Sequence, residues 1–167
     1  MTKTITALII CAAAILFAVS CGSKQSTNME NTENKNESEI FQKGDKAPPE
    51  NFTGTVWVKM LVPKMENIDY SIGNVSFEPN ARSNWHTHPA GQILLVTEGR
   101  GLYQEKGKPV KSLNKGDVVI CDPDVEHWHG AAPDSPVTHI AVTNYKGDVN
   151  VVWLRPVTDE EYGTVSK

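Results

Sequence analysis

Several features that would define other classes of protein are scarce in this 167-residue sequence. Almost no stretch repeats its apolar residues with helical period, which argues against an all-helical fold. Basic residues number 16 against 20 acidic ones, for a net charge of −4, and they form no basic patch. The charge pattern therefore argues against nucleic acid as a partner. Only one long apolar run is present, and it lies at the N-terminus.

That run predicts export. Lys3 precedes the apolar residues 5–19, a run of about 15 residues that is short for a membrane span. This arrangement is typical of a secretory signal peptide, which we assign to residues 1–20. Small residues directly before Cys21 resemble a bacterial lipobox, so Cys21 is the predicted lipidation site. Ordinary signal-peptidase cleavage nearby, which would release a free soluble protein, is the alternative.

Three cysteines are too few for a disulfide framework. Cys11 would leave with the signal and Cys21 would carry lipid, so Cys121 alone would remain in the folded part. Residues 21–47 are polar and cannot bury enough apolar surface to fold, so we predict a disordered tether. These features predict a domain at the bacterial cell envelope, on the periplasmic or outer-membrane side, held at a membrane by its lipid.

Short β-rich segments separated by turn residues fill residues 48–157. About nine strands are predicted there, which favours a single all-β domain, either a sandwich or a barrel. The predictions include strands at 70–77 and 149–154, separate strands at 92–98 and 101–105, and a buried strand at 118–121. Thr158 and Glu161 have the spacing of a capping box, so residues 158–167 are predicted to be a short C-terminal helix and tail. An apolar strand at 52–62 would expose an edge, which predicts a homodimer through that strand.

All five histidines lie between residues 86 and 139. His86 and His88 are two residues apart, so on a strand their side chains leave the same face. Gln92 follows a Pro-Ala-Gly bend and can offer a carbonyl oxygen, while His127 supplies a third imidazole from far downstream. Three nitrogens and one oxygen leave coordination positions open, as in a working metal site. Imidazole ligands suit Zn, Fe, Ni, Cu and Mn, so these residues do not select the metal.

Two motifs in these residues resemble those of the cupins. The first motif, G-x5-H-x-H-x3,4-E-x6-G, is matched at His86, His88 and Gly99, with Gln92 in place of Glu and Asn80 in place of the opening Gly. The second motif, G-x5-P-x-G-x2-H-x3-N, is matched at Gly116 and His127. Asp122 stands in place of its Pro, Asp124 in place of its second Gly, and Ala131 in place of its Asn. The resemblance implies a cupin fold, the double-stranded β-helix or jelly-roll barrel, for residues 48–157.

Segments such as Trp85-His86-Thr87-His88-Pro89 and His127-Trp128-His129-Gly130-Ala131 are similar to a narrower group of small single-domain cupins. That group includes manganese-dependent cupin hydroxynitrile lyases and cupins associated with carboxymuconolactone decarboxylases. The resemblance implies one divalent ion, Mn(II) or Fe(II), as the cofactor. It also implies that the metal ligands are His86, His88, Gln92 and His127. Two further histidines, His129 and His139, would line the pocket. With strand parity, it makes Gly73, Val75 and Thr143 candidates for pocket walls.

Three functions are compatible with such a site. The first is a metal-dependent carbon–carbon lyase on a small hydroxy or carbonyl compound, with His129 and His139 moving the proton. The second is a metal-dependent dioxygenase, because open positions beside His ligands can bind oxygen if the metal is iron. The third is a cupin that binds a small ligand without catalysis. His129 and His139 could act as general bases, or they could instead support the metal ligands.

Overall fold

The structure is a computed structural model that describes residues 40–163. The predicted signal peptide, the lipidation site Cys21 and most of the predicted tether lie outside these residues. No helix in the described range is long and apolar enough to cross a membrane. The described elements are, in order: β1 Asp45–Lys46, β2 Phe52–Thr53, β3 Val56–Val62, β4 Tyr70–Phe77, β5 Arg82–Ser83, β6 His86–Thr87, β7 Gln92–Glu105, β8 Lys111–Asn114, β9 Val118–Cys121, β10 His127–Ala131, β11 Val137–Asn144, β12 Val152–Trp153 and α1 Asp159–Gly163.

Two antiparallel sheets form the barrel, and this confirms the all-β prediction. One sheet has the order β1-β3-β4-β11-β7-β9, and the other contains β2, β5, β6, β8, β10, β12 and the second half of β7. Apolar side chains from both sheets, including Phe77, Leu94 and Tyr103, are almost fully buried in a common core. Alternating strand residues therefore fill the interior, as is usual in small closed β-structures.

Strand β7 belongs to both sheets and corrects the prediction of two separate strands at 92–98 and 101–105. The structure has one 14-residue strand that runs through Gly99. Gly99 has φ of 71°, and a Cβ there would lie 2.0 Å from the carbonyl oxygen of Pro136. Glycine therefore lets the strand bend against its neighbour, and the ladder continues on the other side. The bend carries β7 from its β9 and β11 pairing to its β8 and β10 pairing.

Strand β9 was predicted to be buried, and that prediction is wrong. Val118 is 57% exposed and Ile120 is 69% exposed, whereas Cys121 is buried. The strand pairs with β7 alone among the described strands, so it forms an edge of its sheet. The run of apolar residues was ambiguous because a short strand can be apolar on an outer face as well as on a core face.

Two departures from the cupin motifs have a backbone explanation. Asn80 and Asp124 stand where the motifs have glycine, and both have positive φ, 68° and 61°. Asn and Asp are the non-glycine residues that best tolerate this left-handed conformation. The Asn80 side chain also donates a hydrogen bond to the carbonyl oxygen of Pro133. Both turns therefore keep the conformation that glycine would provide.

The two ends of the domain differ in how well they were predicted. Strand β1 lies inside the predicted tether 21–47 and pairs with β3, so regular structure begins a few residues before the predicted boundary at 48. At the C-terminus, Thr158 Oγ1 accepts from Glu161 N, and Glu161 Oε2 accepts from Thr158 N. This reciprocal capping box starts α1, and the predicted C-terminal helical turn is confirmed.

Candidate metal centre

Two paired strands, β6 and β10, bring the three predicted histidine ligands together. His86 is in β6, His88 follows it by two residues, and His127 in β10 is the direct antiparallel partner of His86. The centroid of the His86 ring lies 4.3 Å from that of the His127 ring and 5.0 Å from that of the His88 ring. One nitrogen from each of the three rings lies within 4.8 Å of the others, an arrangement that could hold a metal ion. Strand pairing thus brings together His86 and His127, which are 41 positions apart in the chain.

Backbone carbonyls fix the tautomer of all three rings. His86 Nδ1 donates to the carbonyl oxygen of Asn84, and His127 Nδ1 donates to that of Val125, each at 2.9 Å. His88 Nδ1 donates to the carbonyl oxygen of Asn150. A carbonyl can only accept, so the proton of each neutral ring is on Nδ1. The lone pair on Nε2 remains available for a metal, in the manner of metal-ligating histidines.

Burial keeps these rings neutral. It lowers the pKa of His88 to about 4, against an opposing effect of the Asn150 carbonyl. Burial also lowers the pKa of His127 and places that of His86 well below its usual value, with His127 and His88 adding to the effect on His86. A metal ligand must be unprotonated, so the site is ready to bind a metal near neutral pH.

Gln92 presents its carbonyl oxygen because Thr143 holds the other end of its amide. Gln92 Nε2 donates to Thr143 Oγ1 at 2.9 Å. Gln92 Oε1, His88 Nε2 and His127 Nε2 are buried and make no hydrogen bond. Leaving such atoms unpaired is costly, and one divalent ion would satisfy all of them. The residues therefore fit a metal with nitrogen and oxygen ligands.

A cavity of about 290 Å³ opens beside these ligands. His86, His88 and Gln92 line it, and so do the two pocket histidines predicted from the resemblance, His129 and His139. His129 is two residues after His127 on β10, and His139 is on β11. Their rings are joined by a 3.2 Å hydrogen bond between His139 Nε2 and His129 Nδ1. The structure thus brings all six predicted metal-site and catalytic side chains into one region.

The His129–His139 pair is buried, with the two residues 6% and 2% exposed. Burial lowers the pKa of His139 to about 4, and burial followed by the nearby His139 and His86 lowers that of His129 well below its usual value. Both rings are therefore neutral at neutral pH. Only one proton can lie between their facing nitrogens, so one ring donates this hydrogen bond and the other accepts it.

The candidate wall residues Gly73, Val75 and Thr143 also line the cavity. Sequence reasoning missed Trp153, Asn150 and Phe52, which line it too. Trp153 is the strand partner of His86, and its ring lies 4.9 Å from that imidazole. The sequence does contain a signal for Trp153: it is the one aromatic residue in the predicted strand at 149–154, and a large apolar side chain in such a strand is a candidate for a cavity wall. Asn150 acts through its main-chain carbonyl, for which side-chain patterns give no signal.

A β-barrel that carries an H-x-H pair, a glutamine four residues later and a third histidine from a distant strand defines the cupin class, and this chain belongs to the cupin family. The cupin-domain family profile matches residues 73–143. An (R)-mandelonitrile lyase from Granulicella tundricola is 43% identical over 121 residues, which cover 72% of this chain and 92% of that protein.

Solved structures agree with this assignment. A cupin-like protein from Thermotoga maritima superimposes with a TM-score of 0.74 at 48% identity, covering 77% of this chain and 98% of that one. A DMSP lyase from Ruegeria pomeroyi has a TM-score of 0.53 at 18% identity, covering 65% of this chain and 54% of that one. At that identity the second likeness concerns the fold alone.

Proposed function

We propose that this chain is a metal-dependent lyase that cleaves a small hydroxynitrile into a carbonyl compound and hydrogen cyanide. The observation that carries the proposal is the buried His129–His139 pair, which lines the same cavity as His86, His88 and Gln92. This arrangement places a group that can accept a proton and a candidate metal site in the same cavity, which has room for one small molecule. The similarity to a mandelonitrile lyase supports this reaction over others of the fold.

His86, His88, Gln92 and His127 would hold the ion, with Mn(II) or Fe(II) proposed. When bound, a divalent ion supplies Lewis acidity that favours negative charge on a substrate oxygen. Gln92 is neutral, so it does not reduce the positive charge at the site as a glutamate would. The hydrogen bond from Gln92 Nε2 to Thr143 fixes which end of the amide is the oxygen, and that oxygen is buried without a hydrogen-bond partner.

The histidine pair would move the proton. When His129 Nδ1–H donates to His139 Nε2, the lone pair of His129 is on Nε2. That nitrogen would take the proton of the substrate hydroxyl while the bond between the carbinol carbon and the nitrile carbon breaks. Cyanide leaves with the bonding electrons and takes the proton back as hydrogen cyanide, so His129 returns to its neutral form. The low pKa of His129 makes its protonated form a strong acid, which suits the second transfer.

The walls of the cavity favour a neutral substrate. Its lining residues include Phe52, Val75, Ala141 and Trp153, and among the described residues no Lys, Arg, Asp or Glu lines it. A carboxylate would lose its water in such a space and find no cationic side chain, so it could bind only through the metal ion, at the positions proposed for the substrate hydroxyl. The absence of charge thus supports a hydroxynitrile over a 2-hydroxy acid as the substrate.

We also propose that the protein works at the bacterial cell envelope, attached through lipidated Cys21. The motif at the N-terminus supports this, and the polar residues 22–39 would act as a spacer. Cys21→Ala should release the protein from the membrane fraction or stall its processing. If that variant stays on membranes at its mature size, the lipid anchor is rejected.

The reaction is tested by cyanide release from mandelonitrile with wild type loaded with Mn(II) or Fe(II), and with His129→Ala and His139→Ala checked for equal metal content. Loss of the general base should lower turnover by about 10²–10⁴-fold. No cyanide above a metal-free control would reject the lyase. In that case, oxygen uptake with Fe(II) would favour a dioxygenase, and tight ligand binding without turnover would favour a binding protein.

A further inference from the structure

We propose that the Ser71 hydroxyl, together with that of Thr143, binds the nitrile group of the substrate and stabilises cyanide as it leaves. This inference rests on the proposed function, because it assigns the part of the cavity that meets the leaving group. The histidine pair and the ion account for the substrate hydroxyl, but negative charge also passes to the nitrile nitrogen. Among the described residues no cationic side chain lines the cavity, so this charge falls to neutral hydrogen-bond donors.

Strand register places both hydroxyls beside the candidate metal ligand Gln92. Gln92 in β7 is paired with Thr143 in β11, and Thr143 is paired with Ser71 in β4. Paired residues on one face of a sheet lie roughly 5 Å apart. All three residues line the cavity, and Ser71 and Thr143 are only 4% and 6% exposed. They form a polar row, Gln92–Thr143–Ser71, across the inner face of their sheet.

Two hydrogen-bond donors of the polar row are unused. Ser71 Oγ makes no hydrogen bond to any described residue. Thr143 Oγ1 accepts from Gln92 Nε2 at 2.9 Å and makes no other side-chain hydrogen bond within the described part of the chain, so its own proton is also available. A buried hydroxyl without a partner is unfavourable, and alanine would fill the position of Ser71 without that cost. A ligand in the cavity that accepts hydrogen bonds would remove the cost.

The wall between the polar row and the histidine pair leaves room for the substrate. Along β11 and β4 the next inward-facing pair is Ala141 and Gly73, and His139 follows on β11. A Cβ at Gly73 would make only ordinary contacts, with the nearest atom 3.9 Å away. Packing therefore does not require glycine there, and its small size widens the cavity. A hydroxynitrile lying over this pair would direct its hydroxyl to His129 and its nitrile to Ser71.

The two donors suit the charge that forms in the reaction. When the bond between the carbinol carbon and the nitrile carbon breaks, its electron pair stays with the nitrile carbon, and part of the negative charge develops on the nitrogen. Ser71 Oγ–H and Thr143 Oγ1–H would donate to that nitrogen, while the cyanide carbon takes the proton from His129 and leaves as hydrogen cyanide. Hydrogen bonds to a charged acceptor are the stronger ones, so these donors would act mainly on the transition state.

The test compares Ser71→Ala with wild type, because Thr143 also holds Gln92 and its replacement would alter metal binding. With mandelonitrile and equal metal content, Ser71→Ala should lower kcat about 10- to 100-fold and change KM by less than about threefold. Its thermal stability should not fall, since alanine removes an unpaired buried hydroxyl. Ser76→Ala is the matched control: Ser76 leaves the other face of β4 and bonds to Thr138, so kcat should stay near that of wild type.

A second measurement does not depend on turnover. Phenylacetonitrile has the ring and nitrile of mandelonitrile but no hydroxyl, so it can bind without reacting, and its nitrile stretch absorbs in the infrared where proteins do not. Hydrogen bonding to the nitrile nitrogen raises this frequency. At saturating phenylacetonitrile, wild type and Ser76→Ala should therefore share a higher nitrile frequency than Ser71→Ala.

The outcomes separate this inference from the proposed reaction. If wild type is active and Ser71→Ala has the same kcat, the nitrile site is rejected and the lyase stands. If wild type releases no cyanide, the lyase is rejected, and the infrared measurement decides the nitrile site alone. Identical nitrile frequencies in wild type and Ser71→Ala would overturn the nitrile site in either case.

Discussion

Replacing Thr143 with valine should weaken metal binding without touching any proposed ligand. Valine has nearly the shape of threonine but lacks the hydroxyl that accepts from Gln92 Nε2 at 2.9 Å. In the metal-free variant the amide can turn and direct its NH₂ group at the unpaired nitrogens of His88 and His127. A metal would then have to reverse that rotation and leave the NH₂ group buried without an acceptor.

The cost of that step can be bounded. An unpaired buried donor costs about 1–3 kcal/mol, and about 1.4 kcal/mol corresponds to a tenfold change in an equilibrium constant. The dissociation constant for Mn(II) should therefore rise by about 5- to 140-fold in Thr143→Val. Thr143→Ser keeps the acceptor and is the matched control, with an expected change of less than about threefold.

The assay is competition of the metal-free protein with a fluorescent chelator at constant pH. If Thr143→Val binds the metal as tightly as wild type, Gln92 is either not a ligand or not held by Thr143. If Thr143→Ser is as weak as Thr143→Val, packing at this position matters and the hydrogen bond does not. Either result would refute the reasoning.

Two further predictions concern the histidines. His127→Ala removes the proposed ligand on β10 and should lower metal occupancy after dialysis by at least about tenfold. Trp128→Phe is the control: its side chain leaves the opposite face of the same strand, and occupancy should stay near that of wild type. Metal-free protein should lose stability as the pH falls from about 6.5 toward 4, because the folded pKa values of His88 and His139 are about 4 and the unfolded chain therefore binds more protons in this range. Each ring should cost about 2 kcal/mol between pH 7 and 4.5 in urea unfolding, and His139→Gln should have a shallower pH dependence than wild type; an equal dependence would contradict the burial argument.

The predicted fold was confirmed because alternation of apolar and polar residues with period two is a local property of the sequence. Tyr70–Phe77 was predicted to be a strand with these bounds, and the capping box at Thr158 correctly predicted the final helical turn. The spacing of His86 and His88 also carried geometric information, because residues two apart on an extended chain point the same way.

Other features depended on contacts between distant parts of the chain. No local pattern indicated that Gly99 bends β7 without ending it, since the reason is the close approach of Pro136. The exposure of Val118 and Ile120 was likewise set by the tertiary structure, because both lie on the outer face of a sheet and on an edge strand, whereas Cys121 on the same strand is buried.

The candidate site divides in the same way. By itself, the sequence determined which side chains could bind a metal, because imidazole and amide groups in motif spacing are visible along the chain. Only the tertiary structure decided how they are held: the Asn150 carbonyl sets the tautomer of His88, Thr143 orients Gln92, and His139 is joined to His129. The physical reason is that residue types and their spacing are local, whereas hydrogen-bond partners and burial are set by strand pairing across the whole barrel.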